Sequence, residues 1–181
     1  MKTIWRLIAA ALGPLWLCWA ASVSGQEVPA GYTLAQGDVL SINVFDEPDL
    51  SFDKVPITDT GTIPFPFVGD VQASGRTVSQ IQAAIVAGLK PDYLVDPKVT
   101  VSIAEYRPFY ISGEVTKPGG IPYQPGLTLR QAITIAGGFT ERASQTRFTV
   151  ISGGAGNEPR RVDLNYEVQP GDTITVEESF F

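Results

Sequence analysis

The side chains that most often carry out chemistry in proteins are scarce in this chain. Its 181 residues include no histidine, and the single cysteine is Cys18. Without histidine, an imidazole base and the Ser-His-Asp and Cys-His constellations cannot form, and the common nitrogen ligands for metals are missing as well. The composition therefore argues against the familiar classes of hydrolase and zinc enzyme.

Carboxylates are the remaining candidates, because the chain has 19 aspartate and glutamate residues. Two carboxyl groups that face each other can cleave a glycosidic bond. Asp38, Asp59 and Asp172, however, adjoin or lie near glycine, in contexts where aspartate accepts hydrogen bonds from local backbone amides. We interpret them as turn residues and predict a protein that is not an enzyme, with carboxylate-dependent glycan cleavage as an alternative.

Two glycine-rich stretches are candidates for cofactor binding. The loop 153–156 lacks the lysine and hydroxyl pair of a phosphate loop, and Gly137-Gly138 lacks the dinucleotide-binding spacing. We expect both stretches to serve the backbone conformation, with Gly137-Gly138 closing a helix in the left-handed region. The sequence predicts no nucleotide, metal or other cofactor.

Short strands and one helix are predicted for the first half. Residues 32–44 alternate as a strand, 46–56 form a polar loop, and short strands follow at 62–63 and 68–71. Thr77 and Gln80 have capping-box spacing, which predicts a helix over about 78–89. Alternating apolar residues then predict a strand that ends near Glu105.

A second cycle follows, with a hairpin at 109–115 and 121–123 and a turn at Lys117-Pro118. Thr128 to Gln131 repeats the capping box at the start of a second helix. Strands are predicted at 147–152, 160–164 and 173–176. Hairpin, helix and further strands are the order of a β-grasp unit, so the sequence predicts an α+β protein.

The first 25 residues have the pattern of a secretory signal peptide. Lys2 and Arg6 precede an apolar run, and small residues follow it, which favours cleavage between Gly25 and Gln26. The run is shorter than the about 20 residues of a membrane-spanning helix. Cys18 lies inside it, so it is interpreted as a signal-peptide residue, with lipidation as the alternative.

The charge limits the partners. The whole chain carries a net charge of −6, and the predicted signal peptide holds two of its cations. An acidic surface repels phosphate backbones, and beyond Arg160-Arg161 there is no basic cluster. Nucleic acid is therefore not expected as a partner.

The motifs in this order resemble the bacterial polysaccharide export proteins of the outer-membrane capsule and exopolysaccharide translocon. The resemblance to the export domain rests on Tyr32-Thr33-Leu34, Gly37-Asp38-Val39-Leu40, Pro48-Asp49-Leu50, Gly61-Thr62-Ile63, Pro66, Gly69 and Gly75. The resemblance to the soluble-ligand-binding β-grasp (SLBB) domain rests on Gly113-Glu114-Val115, Lys117-Pro118-Gly119 and Ala136-Gly137-Gly138-Phe139-Thr140. The expected organisation is a signal peptide at 1–25, an export domain at 26–105 and a β-grasp domain at 106–181, each domain with one helix.

The resemblance implies a homo-oligomeric ring that conducts a capsule or exopolysaccharide chain to the cell surface. Larger family members carry a carboxy-terminal helix that crosses the outer membrane, whereas residues 166–181 contain Pro170, Gly171 and four acids and do not fit such a helix. We therefore expect a periplasmic subunit, associated with the outer membrane, that docks on a separate outer-membrane β-barrel and an inner-membrane co-polymerase. The alternative is a monomeric periplasmic oligosaccharide receptor.

Aromatic rings stack on the faces of sugars, so several side chains are candidates for contact with the polymer or with a neighbouring subunit. Their alternative is a place in the core or the ring interface. Lys117 is a candidate for subunit contact, with pure turn chemistry as its alternative. The candidates are Phe65, Phe67, Tyr106, Phe109, Tyr110, Tyr123 and Lys117.

Overall fold

A computed structural model of the chain describes residues 31–90, 92–153 and 158–179. The chain from Gly31 onward forms one compact unit. Within it, two hydrophobic cores follow each other along the sequence, one built from residues up to Val101 and the other from Phe109 onward. The predicted signal peptide, its cleavage site at Gly25 and Gln26, and Cys18 lie outside the described residues.

The first half contains strands and one helix, as the fold-class prediction requires. A three-stranded antiparallel sheet has the order β2-β1-β5, and a separate hairpin pairs β3 with β4. A short 3-10 turn at Pro48–Leu50 precedes β2. The elements are β1 Val39–Val44, β2 Phe52–Pro56, β3 Thr62–Phe65, β4 Gly69–Gln72, α1 Val78–Leu89 and β5 Val99–Glu105.

The second half is a β-grasp arrangement around a mixed sheet. Its strand order is β7-β6-β10-β8-β9, with β10 parallel to β6 and every other neighbour antiparallel. The elements are β6 Phe109–Gly113, β7 Gly119–Ile121, α2 Leu129–Ile135, β8 Ala143–Ile151, β9 Arg160–Val162 and β10 Thr173–Glu178. The predicted α+β class is confirmed.

Both helices begin as their capping boxes predict. The Thr77 hydroxyl accepts the Gln80 amide, and the Gln80 side chain accepts the Thr77 amide; Thr128 and Gln131 repeat the exchange. These reciprocal bonds satisfy amides that a helix start leaves without partners. The glycines after α2, Gly137 and Gly138, adopt the predicted left-handed conformation, with φ of 83° and 85°.

The predicted loop at 46–56 was wrong in its second part, because Phe52–Pro56 forms strand β2 at the edge of the sheet. Its register with β1 shifts between Leu40 and Ile42. Asp53 and Lys54 are both exposed on this edge, so the strand lacks the clean alternation that marks a half-buried strand. Across the described ranges, no helix is long and apolar enough to cross a membrane.

Candidate functional site

A buried aspartate closes the turn that leads into β1. Asp38 is fully buried, and its Oδ2 accepts hydrogen bonds from the Tyr32 hydroxyl at 2.7 Å and from the Ala35 amide at 2.9 Å. Leu34, between these donors, is buried in the core. The turn is therefore fixed by a carboxylate with local donors, as its glycine neighbour predicted.

The turn that leads into β10 repeats this arrangement. Asp172 is also fully buried, and its Oδ2 accepts hydrogen bonds from the Tyr166 hydroxyl at 2.6 Å and from the Gln169 amide at 2.9 Å. Val168 occupies the place that Leu34 has in the first turn, and it too is buried. The chain thus contains the same device twice, a tyrosine six residues before an aspartate that follows glycine.

Arg107 joins the two turns. Its backbone amide donates to Asp38 Oδ1 at 2.9 Å, and its Nη1 donates to Asp38 Oδ2 at 3.3 Å and to the Tyr32 hydroxyl at 3.2 Å. Its Nε donates to the Pro170 carbonyl oxygen at 3.1 Å. A Cβ at Gly171 would lie 2.6 Å from this Nε, so the arginine needs glycine at that position. One side chain therefore connects both halves of the compact unit.

The two carboxylates differ in how completely they are satisfied. Asp38 accepts from four donors, two of which belong to Arg107. Asp172 Oδ1, in contrast, is buried with no hydrogen-bond partner among the described residues. A buried polar atom without a partner costs free energy. The second turn is the less optimised copy of the device.

Both tyrosines of these turns hold their protons tightly. Burial, followed by the hydrogen bond to Asp38, raises the pKa of Tyr32 far above its ordinary value. Burial and the hydrogen bond to Asp172 raise the pKa of Tyr166 to about 12, although Arg160, whose Nη2 lies 3.0 Å from the hydroxyl, opposes the change. Each hydroxyl is a donor to its carboxylate and is not equipped as a base at neutral pH.

Two of the predicted contact residues lie beside Arg107. The Tyr106 ring meets Tyr32 edge-on at 5.3 Å between centroids, and Tyr123 meets Tyr106 in the same way at 5.2 Å. All three rings are partly buried. Burial also raises the pKa of Tyr106 and of Tyr123. These rings pack at the joint between the two halves, and contact of their exposed parts with a polymer or a subunit stays a prediction.

Three more predicted contact residues pack against other parts of the protein. Phe65 and Phe109 are buried in the first and second cores, the alternative that the sequence left open. Tyr110 is 50% exposed, and it pairs with Gly120 across β6 and β7. A Cβ at Gly120 would lie 3.1 Å from the Tyr110 ring, so the ring covers that glycine.

Lys117 is exposed in the loop between β6 and β7. Its backbone amide donates to the Ala136 carbonyl oxygen at 2.7 Å, and the Thr116 amide donates to the Gly138 carbonyl oxygen at 3.0 Å. The loop is therefore tied to the end of α2 through its backbone. The lysine side chain remains a predicted contact.

Phe67 is the candidate in which an exposed side chain is combined with a strained backbone. It lies at the tip of the β3–β4 hairpin, 63% exposed, with φ of 64°. Its ring stacks on Tyr93 at 4.6 Å between centroids and 30° between planes. Tyr93, which the sequence analysis missed, is itself 50% exposed. An isolated tyrosine after a helix carries no periodic signal that would identify it.

The residues that come directly after Tyr93 in the sequence form one wall of a surface cleft of about 330 Å³. Phe45, at the end of β1, and Val95 are the exposed apolar residues in its wall. The Lys98 ammonium lies 5.8 Å from the centre of the Phe45 ring. The residues lining the cleft are Phe45, Asp46, Glu47, Leu94, Val95, Asp96, Pro97 and Lys98.

The described part of the chain holds no group of three or more acidic or sulfur side chains arranged to bind a metal ion. The two buried carboxylates are engaged with tyrosine hydroxyls and backbone amides. The arrangement can connect the two halves through Arg107 and expose an aromatic pair to solvent.

Comparison with protein families gives two matches in succession. The family described as polysaccharide biosynthesis/export protein matches residues 26–104, and the SLBB domain matches residues 108–163. Together the two matches span most of the chain.

Individual relatives give the same picture. An exopolysaccharide production protein of Rhizobium meliloti is 41% identical over 93 residues, which are 49% of this chain and 22% of the relative. The EPS I polysaccharide export outer membrane protein of Ralstonia nicotianae is 31% identical over 150 residues, 68% of this chain and 39% of the relative. The capsule polysaccharide export outer membrane protein of Neisseria meningitidis is 26% identical over 172 residues, 80% of this chain and 44% of the relative. The chain thus spans less than half the length of each.

Proposed function

This chain belongs to the polysaccharide biosynthesis/export family, and on that premise we propose that it is a subunit of a machine that moves a polysaccharide to the cell surface. Relatives whose names record polysaccharide export at the outer membrane support this function. We assign the subunit to the periplasm, in association with the outer membrane.

The observation that carries the proposal is the joining of the two matched regions in one compact unit. The export and SLBB matches follow each other, and Arg107, which lies between them in sequence, bonds to Asp38 on one side and to Pro170 on the other. We propose the domain limits 26–105 and 106–181. A subunit of a conduit needs such a fixed shape, because the passage exists only while the neighbouring subunits keep their positions.

The proposed mechanism is geometric and not enzymatic. Subunits of this chain close into a homo-oligomeric ring around a hydrated passage, and the energy for transport comes from polymer synthesis upstream. The proposed partners are the polysaccharide, further copies of the chain, a separate outer-membrane β-barrel and an inner-membrane co-polymerase. A conduit must release what it passes, so weak and dispersed contacts serve it better than one deep pocket.

Deletion of the gene tests the function. Polysaccharide is measured at the cell surface and in the periplasm, in the deletion strain and after complementation with the intact gene. We expect surface polymer to fall and to return on complementation. Normal surface polymer in the deletion strain would refute the role in export.

Mass measurement of the protein extracted with its partners tests the ring. A particle that contains several copies of the chain supports it, and a strictly monomeric chain within an otherwise intact complex contradicts it. Shortening of the purified polymer by the protein alone would refute the non-enzymatic mechanism.

A further inference from the structure

We propose that Phe67 and Tyr93, together called the aromatic platform, form a stacking site for an uncharged sugar ring of the exported polymer. This inference rests on the proposed export function and assigns a particular contact to it. It is carried by the exposure of the two rings, by the backbone strain at Phe67 and by the charges beside the platform.

Each of the two rings has an apolar face that is open to solvent. They stack at 4.6 Å with 30° between their planes, while Phe67 stays 63% exposed and Tyr93 50% exposed. Each ring therefore supports the other on one side and leaves its remaining surface open. The C–H face of a pyranose is apolar and of similar size to an aromatic ring, so stacking buries both surfaces from water.

The residue type at position 67 is not explained by the turn. Phe65 pairs with Gly69, so the hairpin turns over three residues, and Val68 packs against α1 at Gly88. This geometry requires a left-handed residue at 67, which glycine or asparagine adopts far more easily than a bulky aromatic. Since the Phe67 ring stays 63% exposed, its burial offsets the strain only in part. Strain that folding does not need indicates a functional contact.

The surroundings favour a sugar over a protein as the occupant. A cleft whose wall includes Leu94, the residue after Tyr93, is also lined by Asp46, Glu47, Asp96 and Lys98. The centre of a protein–protein interface is depleted of such charges, whereas carboxylates next to aromatic rings suit the hydroxyls of a sugar. Asp96 is paired with Lys90 at 3.3 Å, so the three acids and the two bases leave a small negative excess. That excess disfavours a polyanionic chain and does not oppose an uncharged unit.

The test is a titration of the full chain, followed by nuclear magnetic resonance, with three probes. Maltohexaose and cellohexaose are uncharged, and a hexamer of galacturonic acid is anionic. We expect weak, millimolar binding of at least one uncharged probe, with saturation transfer from the protein to the ring protons of that sugar. The anionic hexamer should show no comparable binding. Chemical-shift changes of the protein that occur elsewhere and leave Phe67 and Tyr93 unaffected would overturn the proposal.

The decisive variant is Phe67→Asn, which keeps a residue suited to the left-handed turn. We expect binding to weaken by about five- to tenfold, as the loss of a stacking ring implies. The midpoint of urea unfolding should stay unchanged or rise. Ile135→Asn is the control, since it replaces a side chain that is 54% exposed on α2, and it should bind the sugar as the parent does. Equal binding by Phe67→Asn and the parent would refute the site.

One outcome would identify a contact between copies of the chain, and two others separate this inference from the export function. Lost sugar binding in Phe67→Asn with a changed sedimentation coefficient would make the platform a contact between copies of the chain and overturn the sugar site. If Phe67→Asn binds normally while deletion of the gene still abolishes surface polymer, the platform is wrong and the export function stands. If the platform binds sugar but deletion leaves surface polymer normal, the export function fails and the binding site remains.

Discussion

At the scale of single residues, the two buried aspartates of this protein build turns. Asp38 and Asp172 are fully buried, and each has a tyrosine hydroxyl and a backbone amide as local donors. The difference between them lies in the second oxygen. Asp38 Oδ1 accepts the Arg107 amide, whereas Asp172 Oδ1 has no partner in the described structure.

This difference predicts losses of different size for the same substitution at the two positions. In Asp38→Asn, the amide nitrogen faces an N–H donor whichever way the side chain turns, because both oxygens accept from amides. We expect a loss of about 3–5 kcal/mol in the free energy of unfolding, as when a buried ion pair is broken. In Asp172→Asn, the nitrogen can take the place of the unpaired oxygen, and the loss should be about 1 kcal/mol or less.

Urea denaturation of both variants and the parent at neutral pH measures these changes. Similar losses of unfolding free energy in the two variants would show that the hydrogen bonds of Asp172 stabilise its turn as much as those of Asp38 do.

The tyrosine of the second turn makes stability depend on alkaline pH. The folded protein raises the pKa of Tyr166 from 10.0 to about 12, so it favours the protonated phenol. That contribution is fully present below about pH 10 and is lost as pH rises towards 12. We expect stability to fall through this window, and to fall less steeply in Tyr166→Phe, which has no proton to lose.

Denaturation between pH 8 and 12 provides the measurement, and Tyr110→Phe, at a half-exposed ring, is the control. Tyr32 adds a loss of the same sign above pH 10, which Tyr166→Phe leaves in place. Parallel pH profiles for the parent and Tyr166→Phe would contradict the assignment.

At the scale of elements, the closest packing joins the parallel strands β6 and β10. Gly113 ends β6 with φ of 83°, and a Cβ there would lie 2.1 Å from the Val176 carbonyl oxygen. That oxygen is fixed because it accepts the Glu114 amide at 3.0 Å. Neither partner can move away without breaking the pairing of the strands.

We therefore expect Gly113→Ala to cost about 3 kcal/mol or more, from the clash together with the positive φ. Gly126→Ala is the matched control, because Gly126 has φ of 79° and open space around its Cβ position. That variant should lose only the conformational term, about 1–2 kcal/mol. Equal unfolding midpoints for the two variants would show that β6 and β10 can separate at this point.

The elements also show what a sequence can predict and what it cannot. Both helices were predicted at their starts, because a capping box is a local exchange between residues three apart. Strand β2 was missed, since its polar residues face solvent at a sheet edge and its pairing with β1 is not local. Turn glycines were predicted from residue type, while the role of Arg107 depends on partners 69 and 63 positions away.

The candidate site follows the same rule. The Gly-Asp turns were found from the sequence, and a tyrosine six residues before each aspartate was a visible signal that went unused. Of the seven predicted contact residues, Phe65 and Phe109 are core residues, a distinction that aromatic type alone does not make. The stacking of Phe67 on Tyr93 unites a hairpin tip with the loop after a helix, and no spacing in the sequence encodes it.

At the scale of the whole molecule, the question is whether two cores behave as one cooperative body. The Arg107 side chain is 14% exposed, and it bonds at once to Asp38, Tyr32 and the Pro170 carbonyl oxygen. Replacement by methionine keeps much of the apolar stem and removes all three bonds. It also leaves the buried Asp38 charge without its cation. Because Asp38 lies in the first half, that half loses more stability than the second.

We expect Arg107→Met to separate the unfolding of the two halves. In native-state hydrogen exchange, the amides of β1 and β5 should lose about 3 kcal/mol of protection, while those of β6 and β10 should change far less. Arg142→Met is the control, because its ion pair with Glu178 is exposed to solvent and contributes little to stability. If both halves lose protection equally in Arg107→Met, the tyrosine packing at the joint couples them without the arginine. Loss confined to the first half would instead identify Arg107 as the residue that makes the two domains one rigid subunit.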